Sequence, residues 1–326
     1  MNPARLSRRA LLATAAAAML PARAAVERFP GHAVRLVVPY STGIGPDVVA
    51  RALADELAAP WRQPVVVDNK PGASGIVAFS ELRRTPPDGH TLFLADTATL
   101  AVNPLLHASL PYDPVQDIAP LSLLFRATFV LWTARSSRWG RLDTLLDAAR
   151  REPGRLSYAS LGNGHASQVA IESFARAAGI RLLHVPFKDN GALLAALAAG
   201  EVDLYACSVN TAAGLYAGGR LRPLAVAARA RLGANPEIPT LTEAGGPAVE
   251  MHPWAGIVTV AGTPAPRLAR LQQDLRTALA APRLRARAAE AGFEITPSAP
   301  DELRARAEAD RALYAPLLAD GRVVRL

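Results

Sequence analysis

Val34-Arg35-Leu36-Val37-Val38 is a β-branched run that leads through a turn-forming stretch, residues 39–46, into a segment carrying Val48, Val49, Ala52 and Leu53 on one helical face. Strand, loop and helix follow one another there, and the same order recurs downstream. Val65-Val66-Val67 ends at Asp68, residues 72–75 open a helix carrying Ile76, Val77 and Phe79, and Thr91-Leu92-Phe93-Leu94 gives a third strand. The pattern restarts after Ala119-Pro120, with strands at Phe129-Val130-Leu131-Trp132, Leu156-Ser157-Tyr158-Ala159, Leu182-Leu183-His184-Val185, residues 202–205 and Leu224-Ala225-Val226. Helices are expected over 144–151, 166–178 and 192–199. Extended runs near Val249 and at Ile257-Val258-Thr259-Val260 precede three terminal helical patterns. Alternating strands and helices predict mostly parallel sheets flanked by helices, arranged as two α/β lobes.

With 326 residues, 50% of them apolar and 20% charged, the chain is neither a disordered tail nor a small disulfide-stapled module. Cys207 is the one cysteine, which excludes an internal disulfide and any zinc site built on several thiolates. The six histidines and the carboxylates show no metal-binding spacing along the chain, and neither an HExxH helix nor a GxSxG elbow is present. No catalytic residue, metal or cofactor is expected.

Arg5, Arg8 and Arg9 precede an apolar stretch, residues 10–20, and Ala22-Arg23-Ala24 supplies the small-x-small pattern of a signal-peptidase site. Residues 1–24 therefore read as an export signal; Ser7-Arg8-Arg9-Ala10-Leu11-Leu12 resembles the twin-arginine type, adjacent arginines also occur in ordinary Sec signals, and by either route the mature protein is expected in the periplasm. Its removal deletes four arginines and no acid, lowering the formal charge from +8 to +4. Much of the remaining arginine stands at helical spacing from acids, as in Asp301 and Arg304, Glu302 and Arg306, and Glu308 and Arg311. Together with an aromatic content of 6%, this argues against a nucleic-acid partner. No later apolar run is long enough to span a bilayer, so a soluble mature protein is expected.

Three loops follow expected strands and open helices: Ser41-Thr42-Gly43-Ile44-Gly45, Asp96-Thr97-Ala98-Thr99 and Ser160-Leu161-Gly162-Asn163-Gly164. They are rich in Ser, Thr and Gly and contain neither Lys nor Arg. Such loops suit an anion bound by oriented amides and hydroxyls at helix starts. Gly43-Ile44-Gly45, with Asp68 after the next strand, also admits a dinucleotide reading. Val48 stands where the third glycine of that motif belongs and residues 39–42 lengthen the turn, so an exported nicotinamide-dependent oxidoreductase is the second reading.

From about Phe29 onward the chain resembles the Bug-type periplasmic binding proteins of tripartite tricarboxylate transporters. The resemblance rests on ordered motifs: Val38-Pro39-Tyr40 with Gly43, Gly45, Asp47 and Ala50-Arg51; Asn69-Lys70-Pro71-Gly72-Ala73-Ser74-Gly75; Pro87-Asp88-Gly89-His90-Thr91-Leu92; and Pro111-Tyr112-Asp113-Pro114. Tyr158-Ala159-Ser160 with Gly162-Asn163-Gly164, His184-Val185-Pro186-Phe187-Lys188, Gly200-Glu201-Val202-Asp203 and Leu221-Arg222-Pro223-Leu224-Ala225-Val226 continue it. Pro239-Thr240-Leu241-Thr242-Glu243-Ala244-Gly245, Trp254 and Ala261-Gly262-Thr263-Pro264 complete the set.

The resemblance implies a two-lobed periplasmic binding protein fold, type II-like, with lobes joined by crossing strands and closing on a small organic acid without catalysis. Lobe 1 would comprise residues 25–125 and 253–326, and lobe 2 residues 126–252. It implies ligand contacts at Ser41, Thr42, Gly43 and Gly45, at Thr97 and Thr99, at Ser160, Gly162, Asn163, Gly164, His165 and Ser167, at Pro186 and Phe187, and at Ser208. It also implies a monomer that hands its ligand to the membrane subunits of such a transporter, or serves in sensing that ligand. Departures from the family pattern are Ser41, Thr42, Ile44, His165, Asp189 and the pair Cys207-Ser208, which stands where Asp-Asn is frequent. Loss of that acid points away from amino acids and toward acids without an amine, while Asp189 pulls the other way if it points inward. His165 would add charge to an anion site at low pH, or simply start a helix.

Overall fold

The computed structural model describes residues 29–325, so the export signal lies outside the described residues. β1 (Val34–Val38) pairs in parallel with β2 (Val65–Asn69) on one side and β3 (Thr91–Asp96) on the other. α1 (Gly45–Trp61) joins β1 to β2, and α2 (Ile76–Leu82) joins β2 to β3. The period of two along β1 sends Val34, Leu36 and Val38 to one face of the sheet, where they pack with Leu53 and Leu57 of α1. Val37 points to the other face with Phe79 and Leu82 of α2. The first face also receives α8 (Ala265–Leu279) and α9 (Pro282–Glu290), and the second α10 (Pro300–Ala319).

The same sheet continues beyond β3 with β10 (Trp254–Val260), β4 (Ile118–Arg126) and β11 (Glu294–Ile295). β10 is antiparallel to both β3 and β4. β4 leaves this sheet toward the second half of the chain and β10 returns from it, so the two must run in opposite directions. The expected parallel pairing thus holds among β1, β2 and β3 and gives way to a mixed sheet where the chain crosses over. Pro120 inside β4, which reads as punctuation in the sequence, sits beside a register shift in the pairing with β10.

The second half carries β5 (Val130–Ala134) between β8 (Tyr205–Cys207) and β9 (Leu221–Val226), both antiparallel to it, and a parallel pair of β6 (Ser157–Ser160) with β7 (Leu183–Pro186). A parallel bridge from Tyr158 to Leu204 ties the two groups together. Leu131 packs with α4 (Leu142–Arg151) and α5 (Ala166–Ala177), while Val130 and Trp132 face α6 (Asn190–Ala199) and Ala212 of α7 (Val209–Ala217). Each half therefore builds cores on both faces of its sheet.

Two extended segments cross between the halves side by side: Ala127 N–H donates to Pro253 O at 2.8 Å and Phe129 N–H to Met251 O at 3.1 Å. A third connection is apolar. Val102 and Leu106 from the turn and short helix α3 (Asn103–Leu106) after β3 meet Val169 of α5, Leu317 of α10 and Val323 of the C-terminal tail.

Candidate functional site

Because β1, β2 and β3 are parallel, the loops after them leave one edge of the first sheet; the loops after β6 and β7 leave the corresponding edge of the second. Gly164, in the loop after β6, lies against the segment after β3: a Cβ on it would fall 2.4 Å from Leu106 Cδ1 and 3.5 Å from Val102 Cγ1. On the other flank Asn210, at the start of α7, donates to Glu290 O at 2.7 Å and abuts Gly292. The neighbouring Phe293 ring packs on Gly45, the first residue of α1. The loop starts of the two halves thus face one another and touch on both flanks.

On the first side, Ser41, Thr42 and Gly43 are exposed. Gly43 takes a φ of +86°, where a side chain is strained, and its N–H donates to Asp47 Oδ2 at 2.8 Å. Asp47 is buried and also receives Arg51 Nε at 2.9 Å and Asn69 Nδ2 at 2.8 Å. Burial works against its ionisation, but hydrogen bonds from Arg51, Gly43 and Asn69 prevail and hold the carboxyl below its ordinary range. Thr42 Oγ1 lies 3.1 Å from Asn69 Oδ1, extending the network. Asp47, Arg51 and Asn69 are not among the expected contacts, although the i,i+4 spacing of Asp47 and Arg51 is legible in the sequence. Asn69 joins them only because β2 pairs with β1.

Beside this loop, Ala73, Ser74 and Gly75 take successive positive φ values of 46°, 50° and 85°. Two non-glycine residues held so cost about 1–2 kcal/mol each, a strain that folded structure must offset. Gly75 fits closely under Thr99 and Pro39.

Thr97 and Thr99, expected to line the space, are instead buried braces. Thr97 Oγ1 accepts from Trp254 N–H at 3.2 Å, fixing the end of β3 to β10. Thr99 Oγ1 donates to Asp96 Oδ1 at 2.9 Å and accepts from Asp96 N–H at 2.8 Å. Asp96 also takes a very short hydrogen bond from the Tyr40 hydroxyl, and burial raises its carboxyl above the ordinary range. These hydroxyls serve a chain end that would otherwise bury unpaired polar groups.

The second-side loop is likewise closed on itself. Gly162 N–H donates to Ser160 Oγ at 3.1 Å, Gly164 N–H to Gln168 Oε1 at 2.7 Å, and Ser167 N–H to His165 Nδ1 at 3.2 Å. An amide cradle of Gly43, Gly162 and Gly164 open to a ligand is therefore not what this conformation presents, because the loops satisfy their own donors. Ser160 is fully buried and its Oγ lies 2.6 Å from His184 Nε2; Phe187 N–H reaches Ser160 O at 2.8 Å, setting exposed Pro186 and half-buried Phe187 beside it. Asn163 Nδ2 donates to Val324 O in the C-terminal tail at 3.2 Å.

His165 is the N-cap of α5, and burial pushes its imidazole down to about 4, so it is a neutral helix start at neutral pH. Asp189 caps α6 by accepting from Ala192 N–H at 2.8 Å, and Ser208 caps α7 through Thr211. Cys207 is buried and its thiol is pushed well above the ordinary range by burial, which keeps it protonated. The loop after β8 therefore offers no thiolate, and the loop after β7 keeps Asp189 exposed with Oδ1 engaged in the cap.

The dinucleotide reading fails on two counts. The buried Asp47 carboxylate stands at the helix start where a pyrophosphate would have to sit. Asp68 is paired with Arg35 at 3.3 Å and Lys70 at 3.6 Å rather than waiting for a ribose.

Residues 49–311 match the sequence family described as tripartite tricarboxylate transporter family receptor. A UPF0065 protein of the tcbD-tcbE intergenic region of Pseudomonas sp. (strain P51) is 33% identical over 304 residues, covering 92% of this chain and 90% of that one. Protein BugT of Bordetella pertussis is 29% identical over 265 residues, 81% of each chain. Among solved structures, R. palustris Rpa4515 with adipate superposes with a TM-score of 0.82 at 28% identity, covering 91% of this chain and 100% of that one. MatC from Rhodopseudomonas palustris, with bound malate, gives 0.77 at 28% identity, covering 89% and 99%. The fold is that of the two-lobed periplasmic binders, shared with the periplasmic binding protein BugD at a TM-score of 0.78 and 26% identity, and the matching family is one of receptors.

Proposed function

Since the chain belongs to the tripartite tricarboxylate transporter receptor family, we propose that it is an exported periplasmic receptor that captures a small organic carboxylate between its lobes and presents it to the membrane subunits of a transporter. The observation that carries this reading is the meeting of the two loop edges, Gly164 against Leu106 on one flank and Asn210 against Glu290 on the other. The adipate-bound and malate-bound relatives support the ligand class. In this reading residues 1–24 are cleaved, lobe 1 holds residues 25–125 and 253–326, lobe 2 holds residues 126–252, and the hinge is the paired crossing at Ala127 and Pro253.

Ser41, Thr42, Gly43, Gly45, Gly162, Asn163, Pro186 and Phe187 line the ligand space, with Thr97, Thr99, Ser160, Gly164, His165, Ser167 and Ser208 holding its walls. The starts of α5 and α7 supply positive potential without a lysine or arginine on the loops, whereas Asp47 already occupies the start of α1; each free helix start is worth up to about 2 kcal/mol to an anion where partly buried. With Cys207 neutral and Ser208 spent on a cap, an amino group on the ligand finds no acid at the 207–208 position, and Asp189 Oδ1 is engaged in a cap, which favours acids without an amine. Thermal shift of the mature protein against a panel of mono-, di- and tricarboxylates, their methyl esters and amino acids tests this. Stabilisation by at least one free acid and by none of its esters is expected; stabilisation only by amino acids, or only by nicotinamide dinucleotides, overturns it.

A further inference from the structure

At the opposite edge of the first sheet, where β1 and β3 begin, three side chains come together: His32, Asp88 and His90 are the one grouping among the described residues whose ligand atoms could share a metal ion. We propose that they form a binding site for one divalent transition-metal cation of the zinc type, which staples the segment entering β1 to the turn entering β3. His32 is remote from the other two in sequence, so no spacing along the chain announces the site. Its place at the amino ends of parallel strands separates it from the carboxylate space at their carboxyl ends.

Their candidate ligand atoms all lie within 4.8 Å of one another. Donors around a tetrahedral zinc, bound at about 2.1 Å, stand roughly 3.4 Å apart, so a short inward movement completes the site. His90 is 8% exposed, and its Nδ1 is buried with no hydrogen bond, 3.4 Å from Asp88 Oδ1. Asp88 is itself oriented by His90 N–H, which donates to Oδ1 at 2.8 Å. His32 is exposed, its Nδ1 lies 3.1 Å from Ala33 O, and tilting its ring out of the stack on His90 brings its Nε2 toward the shared ion. A ring nitrogen makes that contact as an N–H donor, which leaves the Nε2 lone pair for a metal.

The His32 and His90 rings stack at 3.7 Å with 16° between their planes. Burial, and then His32, lower the His90 imidazole against the opposing pull of Asp88. Gly31 N–H donates to His90 Nε2 at 3.2 Å, placing the ring proton on Nδ1 in the metal-free protein. Binding at Nδ1 moves that proton to Nε2 and gives up the long Gly31 contact, which the exposed Gly31 segment accommodates. Two imidazoles and one carboxylate, without thiolate, suit Zn2+, Ni2+ or Cu2+ and not the oxygen-seeking Ca2+ or Mg2+. Arg267, which donates to Asp88 O at 2.8 Å, adds positive charge nearby and weakens the expected affinity.

The test is calorimetric titration of ZnCl2 into the chelator-treated mature protein, with the visible spectrum of Co2+ as a coordination signature. One equivalent is expected to bind, with bands of a four-coordinate nitrogen-oxygen site, and His32→Ala and His90→Ala should each weaken binding at least tenfold. His32 is exposed, so His32→Ala keeps the fold and guards against misreading an unfolded His90→Ala. Zn2+ should raise the melting temperature of the wild-type protein and leave that of His32→Ala unmoved. Equal binding by His32→Ala, or no stoichiometric binding even at a hundredfold excess of Zn2+, overturns the proposal.

Discussion

Arg322, in the C-terminal tail, lies with its Nη1 3.3 Å from Oε2 of Glu172, inside α5, and the two side chains are only 9% and 5% exposed. Glu172 also accepts from the Tyr158 hydroxyl at 2.7 Å, so the tail is keyed to the strand that carries Ser160. Arg176 to Asp320 at 2.6 Å and Asn163 to Val324 O add to the same attachment. The last residues of the chain therefore hold the second-lobe loop in place.

Removing Arg322 leaves Glu172 buried without its cation. Arg322→Met should cost about 3–5 kcal/mol in urea unfolding, because an unpaired buried carboxylate is left behind. Burial already raises the Glu172 carboxyl, with Tyr158 and Arg322 pulling it back. In the variant its native pKa rises further, so the native state binds the proton more tightly than the unfolded chain and stability falls as pH rises. The deficit against wild type should shrink in acid and be fullest at neutral pH; a pH-independent deficit contradicts this linkage.

Gly164 combines a φ of +77° with the close approach to Leu106. Gly164→Ala should destabilise by about 1–3 kcal/mol through backbone strain and overpacking, in addition to any effect on ligand. Leu106→Ala removes the atom that clashes, so the double variant should lose less than the sum of the single losses. Strict additivity in a double-mutant cycle would show that the two residues do not meet.

His165 has a native pKa near 4, below the value of a free imidazole. The unfolded chain then binds the proton first, so its contribution to stability is complete above about pH 6.5 and is lost as pH falls toward 4. His165→Asn keeps a capping side chain and removes the titration. Its melting temperature should vary less than wild type over that window, while ligand affinity between pH 6.5 and 8 should not follow the imidazole in either protein.

Cys207 is a buried, protonated thiol whose carbonyl accepts from Trp132 Nε1 at 3.2 Å. It should react with a thiol reagent only after unfolding, and Cys207→Ala should leave carboxylate affinity within tenfold. Rapid labelling of the native protein, or loss of binding in the variant, would give the thiol a role this packing does not provide.

The alternation along Val34–Val38, the helical face of Val49 and Leu53, and the repeat of that pattern after Trp132 are local properties of the chain, so strands, helices and two α/β halves are legible in the order of residues alone. Burial follows hydrophobic period, and that period is a property of neighbouring residues. The direction of β10 was not legible, because a strand's partner depends on where the chain returns. The same holds for Thr97 and Thr99: their residue types suit an anion, yet the fold buries them and assigns their hydroxyls to Trp254 and Asp96.

Residue order thus carried the secondary structure, the resemblance to a receptor family and the glycine-rich loops at helix starts. It took the folded chain to settle which amides in those loops are already spoken for, as with Gly43 on Asp47 and Gly164 on Gln168, and which distant side chains meet, as with Arg322 and Glu172 or His32 and His90. Propensity and hydrophobic period act over a few residues, whereas hydrogen-bond satisfaction and ion pairing are settled by whichever groups folding brings within about 3 Å.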